Sequence, residues 1–163
     1  MPPSTLTSEN SAIVMIDHAV GFGNVFRSHD LSLHVNNTVG LAKTAGVFGI
    51  PLVLTNGADT GPYGPLFSEL RIVTGGARVI VREGNFINAF QTPRFAAAIE
   101  SAGRRKLVMS GLLTEGCVLG TALAGLERGS SKARLPGRQH PPHPRRIRVT
   151  PNPPDRCTGT RDA

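Results

Sequence analysis

A strand-forming run followed by a helical run recurs four times between Ser11 and Gly129, and this alternation restricts the chain to folds built on a parallel sheet with right-handed crossovers. The first strand is the continuous apolar run Ser11 to Ile16. After it, Leu31 to Phe48 carries Val35, Val39, Ala42 and Ala45 at helical spacing, with Gly46 and Gly49 marking its end. A second strand, Pro51 to Leu54, runs into the turn-rich Asn56 to Pro62, and a short helix is expected around Leu66 to Ile72. The third strand is Ala77 to Val81. Its helix should be capped by Thr92, carry Pro93 in its first turn and end at Gly103. The fourth strand, Lys106 to Ser110, breaks at Gly111 and leads to a small-residue helix that opens at Cys117 and closes at Gly129. The expected fold class is α/β: three α/β/α layers around a doubly wound, mostly parallel sheet, incomplete at its C-terminal end because the pattern stops there.

Charge divides the chain at the same place. The whole sequence has 18 Lys and Arg against 11 Asp and Glu, which by itself points to a polyanionic partner. Residues 131–163 hold eight of those basic residues and only two of the acidic ones, so residues 1–130 are close to neutral. Seven of the 13 prolines also fall after residue 130, and no aromatic residue does. Residues 1–130 are therefore expected to form one globular domain, and residues 131–163 a basic, Pro-rich tail that is disordered or translated from a shifted reading frame. Lys132-Ala133-Arg134-Leu135 begins like a further strand and then fails. A basic tail without interleaved aromatics or a recognition motif is a poor nucleic-acid binder, so that reading is the weakest alternative. No apolar stretch is long enough to span a membrane, and the first residues lack the pattern of a secretory leader. Two cysteines make no disulfide framework. A cytoplasmic location is expected.

Three residues at strand ends carry the chemistry. Cys117 lies near a helix N-terminus, where unpaired N–H groups and the helix dipole favour a thiolate and can hold a developing oxyanion. Taken alone, it is better explained as a small buried hydrophobe. Asp17 ends the first strand and Arg82 follows the third. Asp17 can equally be a cap, and Arg82 a solvated charge beside Glu83. In a parallel sheet, however, all these strand ends share one edge, the edge at which open α/β folds bind ligands.

The segment Ser110-Gly111-Leu112-Leu113-Thr114-Glu115-Gly116-Cys117-Val118 resembles the nucleophile segment of the isochorismatase-like cysteine hydrolases, a family that includes isochorismatases, nicotinamidases and small amidases. The resemblance runs from about Ser11 to Gly129. It extends to Asp17 in Val14-Met15-Ile16-Asp17-His18, matching the family's general base. Arg82, in Val81-Arg82-Glu83-Gly84-Asn85-Phe86-Ile87-Asn88-Ala89-Phe90, stands near the family's catalytic lysine. An arginine there can position the aspartate and stabilise charge but stays protonated. The resemblance implies a catalytic set of Asp17, Arg82 and Cys117, with backbone N–H groups of Leu113 and Cys117 as the oxyanion site and a cis peptide at Leu112–Leu113. Phe22, Asn56 and Asn88 are expected to contact substrate.

The implied reaction is cleavage of a C–N, amide-type bond of a small molecule through a covalent thioester, with ether cleavage of the isochorismate type left open. No cofactor is implied. Nicotinamidases bind a metal through histidines after the second strand, whereas Thr55 to Leu66 has Asp59 and no histidine, so no metal is expected. His18, His29 and His34 are expected on the surface or in pocket walls. The implied partners are a small-molecule substrate and, if the domain is complete, further copies of the chain in a homo-oligomer. The alternative is a truncated, catalytically inactive member.

Overall fold

The computed structural model describes residues 5–131, apart from 29, 83, 85 and 86. The tail from residue 132 on, His29 and Glu83 lie outside the described residues.

Four parallel strands form one sheet in the order β3-β2-β1-β4. They are β1 (Ser11–Ile16), β2 (Leu52–Asn56), β3 (Val79–Val81) and β4 (Lys106–Gly111). All six residues of β1 are buried, as expected for an apolar strand flanked on both sides and covered on both faces. The second strand runs two residues further than its apolar run suggested, because Thr55 and Asn56 continue the ladder opposite Ile80 and Val81. The third is shorter than expected: as an edge strand it keeps only the residues that pair with β2. Among the described residues β4 forms the opposite edge.

Side chains alternate across β1 and so feed two cores. Ile13 and Met15 meet Phe22 of the single turn α1 (Val20–Gly23), Ala42 and Ala45 of α2 (Leu31–Val47), and Leu70 of α3 (Ser68–Val73). Val14 and Ile16 meet Phe90, Phe95 of α4 (Pro93–Ala102), and Ala122 of α5 (Leu119–Ser131). These helices on both faces make the fold doubly wound. The ring of Phe95 is fully buried and meets Phe90 edge-on, with centroids 5.0 Å apart.

Helix ends follow local chemistry. The Asp30 carboxylate accepts from the Leu33 N–H at the start of α2, and Gly103 closes α4 in the left-handed conformation that glycine adopts without a Cβ clash. Thr92 does occupy the N-cap position of α4, but its hydroxyl makes no capping bond, so Pro93 at the first helical position starts this helix without side-chain help. The segment after β4 also departs from expectation. Regular helix begins at Leu119 rather than at Cys117, because Thr114–Val118 forms a wider turn kinked at Gly116 (φ −102°, ψ −106°).

Candidate active site

The order of strands reverses between β1 and β4: from β1 the chain winds outward to β2 and β3, then returns across the sheet to β4. Open α/β sheets bind their ligands beyond the carboxyl ends of the strands at such a switch point. Asp17 leaves β1 there, and its N–H donates to the Thr55 carbonyl at 2.9 Å. Arg82 leaves β3, its N–H donating to the Asn56 carbonyl at 2.9 Å. Cys117 sits in the kinked turn between β4 and α5.

These three residues, 65 and 35 positions apart in sequence, converge. Arg82 Nη2 donates to Asp17 Oδ2 and lies 3.7 Å from Cys117 Sγ. The Asp17 and Arg82 side chains are only 4% and 8% exposed, so this is a buried ion pair rather than a surface one. Asp17 Oδ1 is buried without a well-formed hydrogen bond, and the Cys117 thiol is the hydrogen-bonding neighbour of that carboxylate. Asp17 is also the one non-glycine residue with a positive φ, 52°, among the described residues. Left-handed backbone costs an ordinary residue about 1–2 kcal/mol and is better tolerated by Asp and Asn.

Burial sets the protonation balance. It pushes the Asp17 carboxyl above its usual range, opposed by the Arg82 charge and by hydrogen bonds from Cys117 and Arg82. It also pushes the Cys117 thiol up, reinforced by the hydrogen bond to Asp17 and its charge and opposed by Arg82. The sequence places this thiol at the start of a helix; it instead precedes the regular helix, which begins at Leu119, and burial beside a carboxylate works against the thiolate. Two groups coupled this closely titrate as a pair.

The remaining sequence-derived residues are placed less uniformly. Asn56 is buried beside the strand end that carries Arg82, with Nδ2 donating to the Gly64 carbonyl at 3.2 Å and Oδ1 without a hydrogen bond. Phe22 is buried and stacked on Tyr63 at 4.3 Å, over the same face of the sheet. Asn88 is elsewhere in role: its Oδ1 accepts from the Phe90 N–H, capping the short turn Ala89–Gln91, and it lines an open cavity of about 620 Å³ with Phe90, Glu100 and Arg128 that none of Asp17, Arg82 and Cys117 lines. Leu113 precedes the kinked turn, and its carbonyl accepts from the N–H groups of Gly116 at 3.3 Å and Val118 at 3.4 Å. The Leu112–Leu113 peptide is trans, as are all peptides among the described residues, which corrects the cis expectation. Trans is the ordinary state of a bond between two non-proline residues.

Sequence reasoning missed His18. Of the surface or pocket-wall places expected for it, the surface is ruled out: it is fully buried, with Nε2 3.0 Å from Ser110 Oγ and Nδ1 3.4 Å from His34 Nε2. Burial holds its pKa down to about 3, helped by the charge of His34 and opposed by a bond to the Ser110 backbone. The only sequence signal was its place directly after Asp17. Among the described residues no group of three or more His, Cys, Asp or Glu side chains is arranged to hold a metal ion. None of the described helices is long and apolar enough to cross a membrane.

A parallel doubly wound sheet with an Asp, an Arg and a Cys gathered at its switch point defines a class, and comparison with known sequences names it. The isochorismatase domain family matches residues 11–131, and the chain belongs to that family. It is 34% identical over 128 residues to YcaC of Escherichia coli, covering 78% of this chain and 61% of that protein. The crystal structure of the E. coli YcaC gene product, described as an octameric hydrolase of unknown specificity, superposes with a TM-score of 0.73 at 35% identity over 79% of this chain and 63% of that one. YcaC from Pseudomonas aeruginosa, solved with hexane-2,5-diol and covalent acrylamide, gives a TM-score of 0.71 at 34% identity, covering 76% and 61%. The chain thus spans about 61% of the length of the curated relative that it matches.

Proposed function

We propose that this protein is a cysteine hydrolase that cleaves a C–N, amide-type bond of a small molecule through a thioester intermediate. The observation that carries the reading is the convergence of Arg82 on both Asp17 and Cys117 Sγ at the switch point. Asp17 takes the thiol proton as Cys117 Sγ attacks the substrate carbonyl carbon, forming the C–S bond. The oxyanion is met by the N–H groups of Leu113 and Cys117. Collapse breaks the C–N bond, and the amine leaves with the proton held by Asp17. Water then attacks the thioester, gives its proton to Asp17, and the acid departs as the thiol is restored. Arg82 keeps the Asp17 carboxylate oriented and steadies negative charge on sulfur; as an arginine it moves no proton. Asn56 and Phe22 form the wall that meets the substrate, and Asn88 is retained as a contact from the neighbouring loop.

The covalent acrylamide carried by the P. aeruginosa relative supports a nucleophile of this kind, and the octameric E. coli relative supports a homo-oligomer. Intact-mass analysis after incubation with a panel of small primary amides tests the reading. An acyl adduct on Cys117 with release of ammonia is expected, absent from Cys117→Ala; hydrolysis that survives this substitution refutes it. The alternative is a catalytically silent member of the family, whose signature is an Asp17, Arg82 and Cys117 set that takes no acyl group from any amide.

A further inference from the structure

The ends of β1 and β4 are interlocked by more than their ladder. Ser110 and Gly111 pair with Met15 and Ile16, immediately before Asp17. A Cβ on Gly111 would fall 2.5 Å from Val118 Cγ2 and 2.8 Å from the Ile16 carbonyl, so no side chain fits between the end of β1 and the turn that holds Cys117. One residue past Asp17, His18 reaches across this junction. Its Nε2 lies 3.0 Å from Ser110 Oγ, its Nδ1 lies 3.4 Å from His34 Nε2 on α2, and its carbonyl accepts from the Phe67 N–H at 2.9 Å. Ser110 Oγ and His34 Nε2 face the two ring nitrogens, so a neutral imidazole donates through one and accepts through the other. The imidazole is thus a neutral crosspiece between three elements, placed where the backbone turns through the left-handed conformation of Asp17. A strained residue keeps such a conformation only when its surroundings over-determine it.

We infer that His18 is a positioning residue for cysteine activation, holding the Asp17 carboxylate at a fixed distance from Cys117 by tying the end of β1 to Ser110 at the end of β4. The inference rests on the reading of Asp17 and Cys117 as base and nucleophile. It separates two features of thiol reactivity. Proton transfer within the Asp17–Cys117 pair gives a reactivity that is flat with pH for as long as the pair holds one proton. The alkaline limb, in contrast, reports the thiol losing its proton to solvent. Only the flat part depends on how well Asp17 faces Cys117.

The experiment is alkylation of Cys117 by iodoacetamide in the folded protein, followed by peptide mass analysis across neutral and alkaline pH. His18→Leu should lower the flat part about tenfold, a loss of about 1.4 kcal/mol in activation, while leaving the alkaline limb in place. Ser110→Ala, which removes only the hydroxyl tie, should lower it about threefold, and His18→Gln, which keeps an N–H near the Nε2 position, should restore most of it. A residue with only a structural role would reduce stability in the Leu and Gln variants alike and leave the ratio of the two limbs unchanged. The inference is overturned if His18→Leu keeps the wild-type flat part, or, should that variant not fold, if Ser110→Ala keeps it. A wild-type profile with an alkaline limb alone, identical to that of Asp17→Asn, instead removes the reading of the pair on which the inference stands.

Discussion

Acid should destabilise this protein through His18. His18 has its pKa held near 3 in the folded chain, against 6.5 for the exposed residue. A folded-state pKa below the unfolded value means that the unfolded chain binds the proton first. The contribution of His18 is therefore complete above about pH 6.5 and is lost progressively as pH falls toward 3. The linkage relation gives a loss of about 2 kcal/mol by pH 5 and about 3 kcal/mol by pH 4, a large share of a typical domain stability of about 5–15 kcal/mol. Asp17 acts in the opposite sense: its carboxyl is raised by burial, so protonating it on acidification favours the fold. The whole-protein profile is a sum, and His18→Gln, which cannot titrate, isolates the histidine. Urea unfolding of both proteins at about pH 7.5 and pH 5 should show their stability difference shifting by about 2 kcal/mol toward the variant at the lower pH. Ring resonances should keep His18 neutral at pH 5 while exposed histidines charge. A difference that stays constant within about 0.5 kcal/mol, or a His18 resonance that titrates near its ordinary value, refutes the reasoning.

Removing the cation from the buried pair should cost more than losing a surface salt bridge. Arg82→Met leaves Asp17 desolvated and unpaired, and denaturant unfolding should record a loss of about 3–5 kcal/mol, part of it recovered in the double variant with Asp17→Asn. Gly111→Ala forces a methyl against Val118 and the Ile16 carbonyl, and the same assay should show about 1–3 kcal/mol of destabilisation with slower Cys117 alkylation; an unchanged midpoint would mean that the junction is looser than its geometry. Chelator treatment should leave hydrolysis unchanged, and a loss restored by one added metal ion would show that a metal takes part in the reaction.

Much of the fold was legible because strand signals in a buried parallel sheet are crude and strong. Ser11 to Ile16 reads as a central strand once helices flank it, and Pro93 and Gly103 punctuate α4 by chemistry confined to a few residues. Boundaries failed where long-range pairing decides them. Thr55 and Asn56 look like loop residues until Ile80 and Val81 lie beside them. In the site, Asp17, Arg82 and Cys117 were recoverable because each stands at a strand end and the topology supplies their convergence. His18 was not, since its partner Ser110 is 92 residues away and a histidine carries the same letter whether it is buried neutral or solvated and charged. Asn88 has a local role that the sequence reading did not name, as an Asn two residues before Phe90 is also the signature of a capped turn.

The left-handed backbone at residue 17 also decides which sequences can occupy that position. Asparagine and glycine accept the conformation readily but carry no base. Glutamate keeps a carboxylate, yet lacks the short side chain that makes the conformation tolerable, and its extra methylene must fit where Asp17 already meets Arg82 in a buried space. Each substitution that relieves the backbone removes the chemistry, and the one that retains the charge works against the backbone. If Asp17 is the base proposed above, Asp17→Glu is not a conservative step for a lineage carrying this site, and drift at this position leads to a quieter, more relaxed protein rather than to an alternative catalyst.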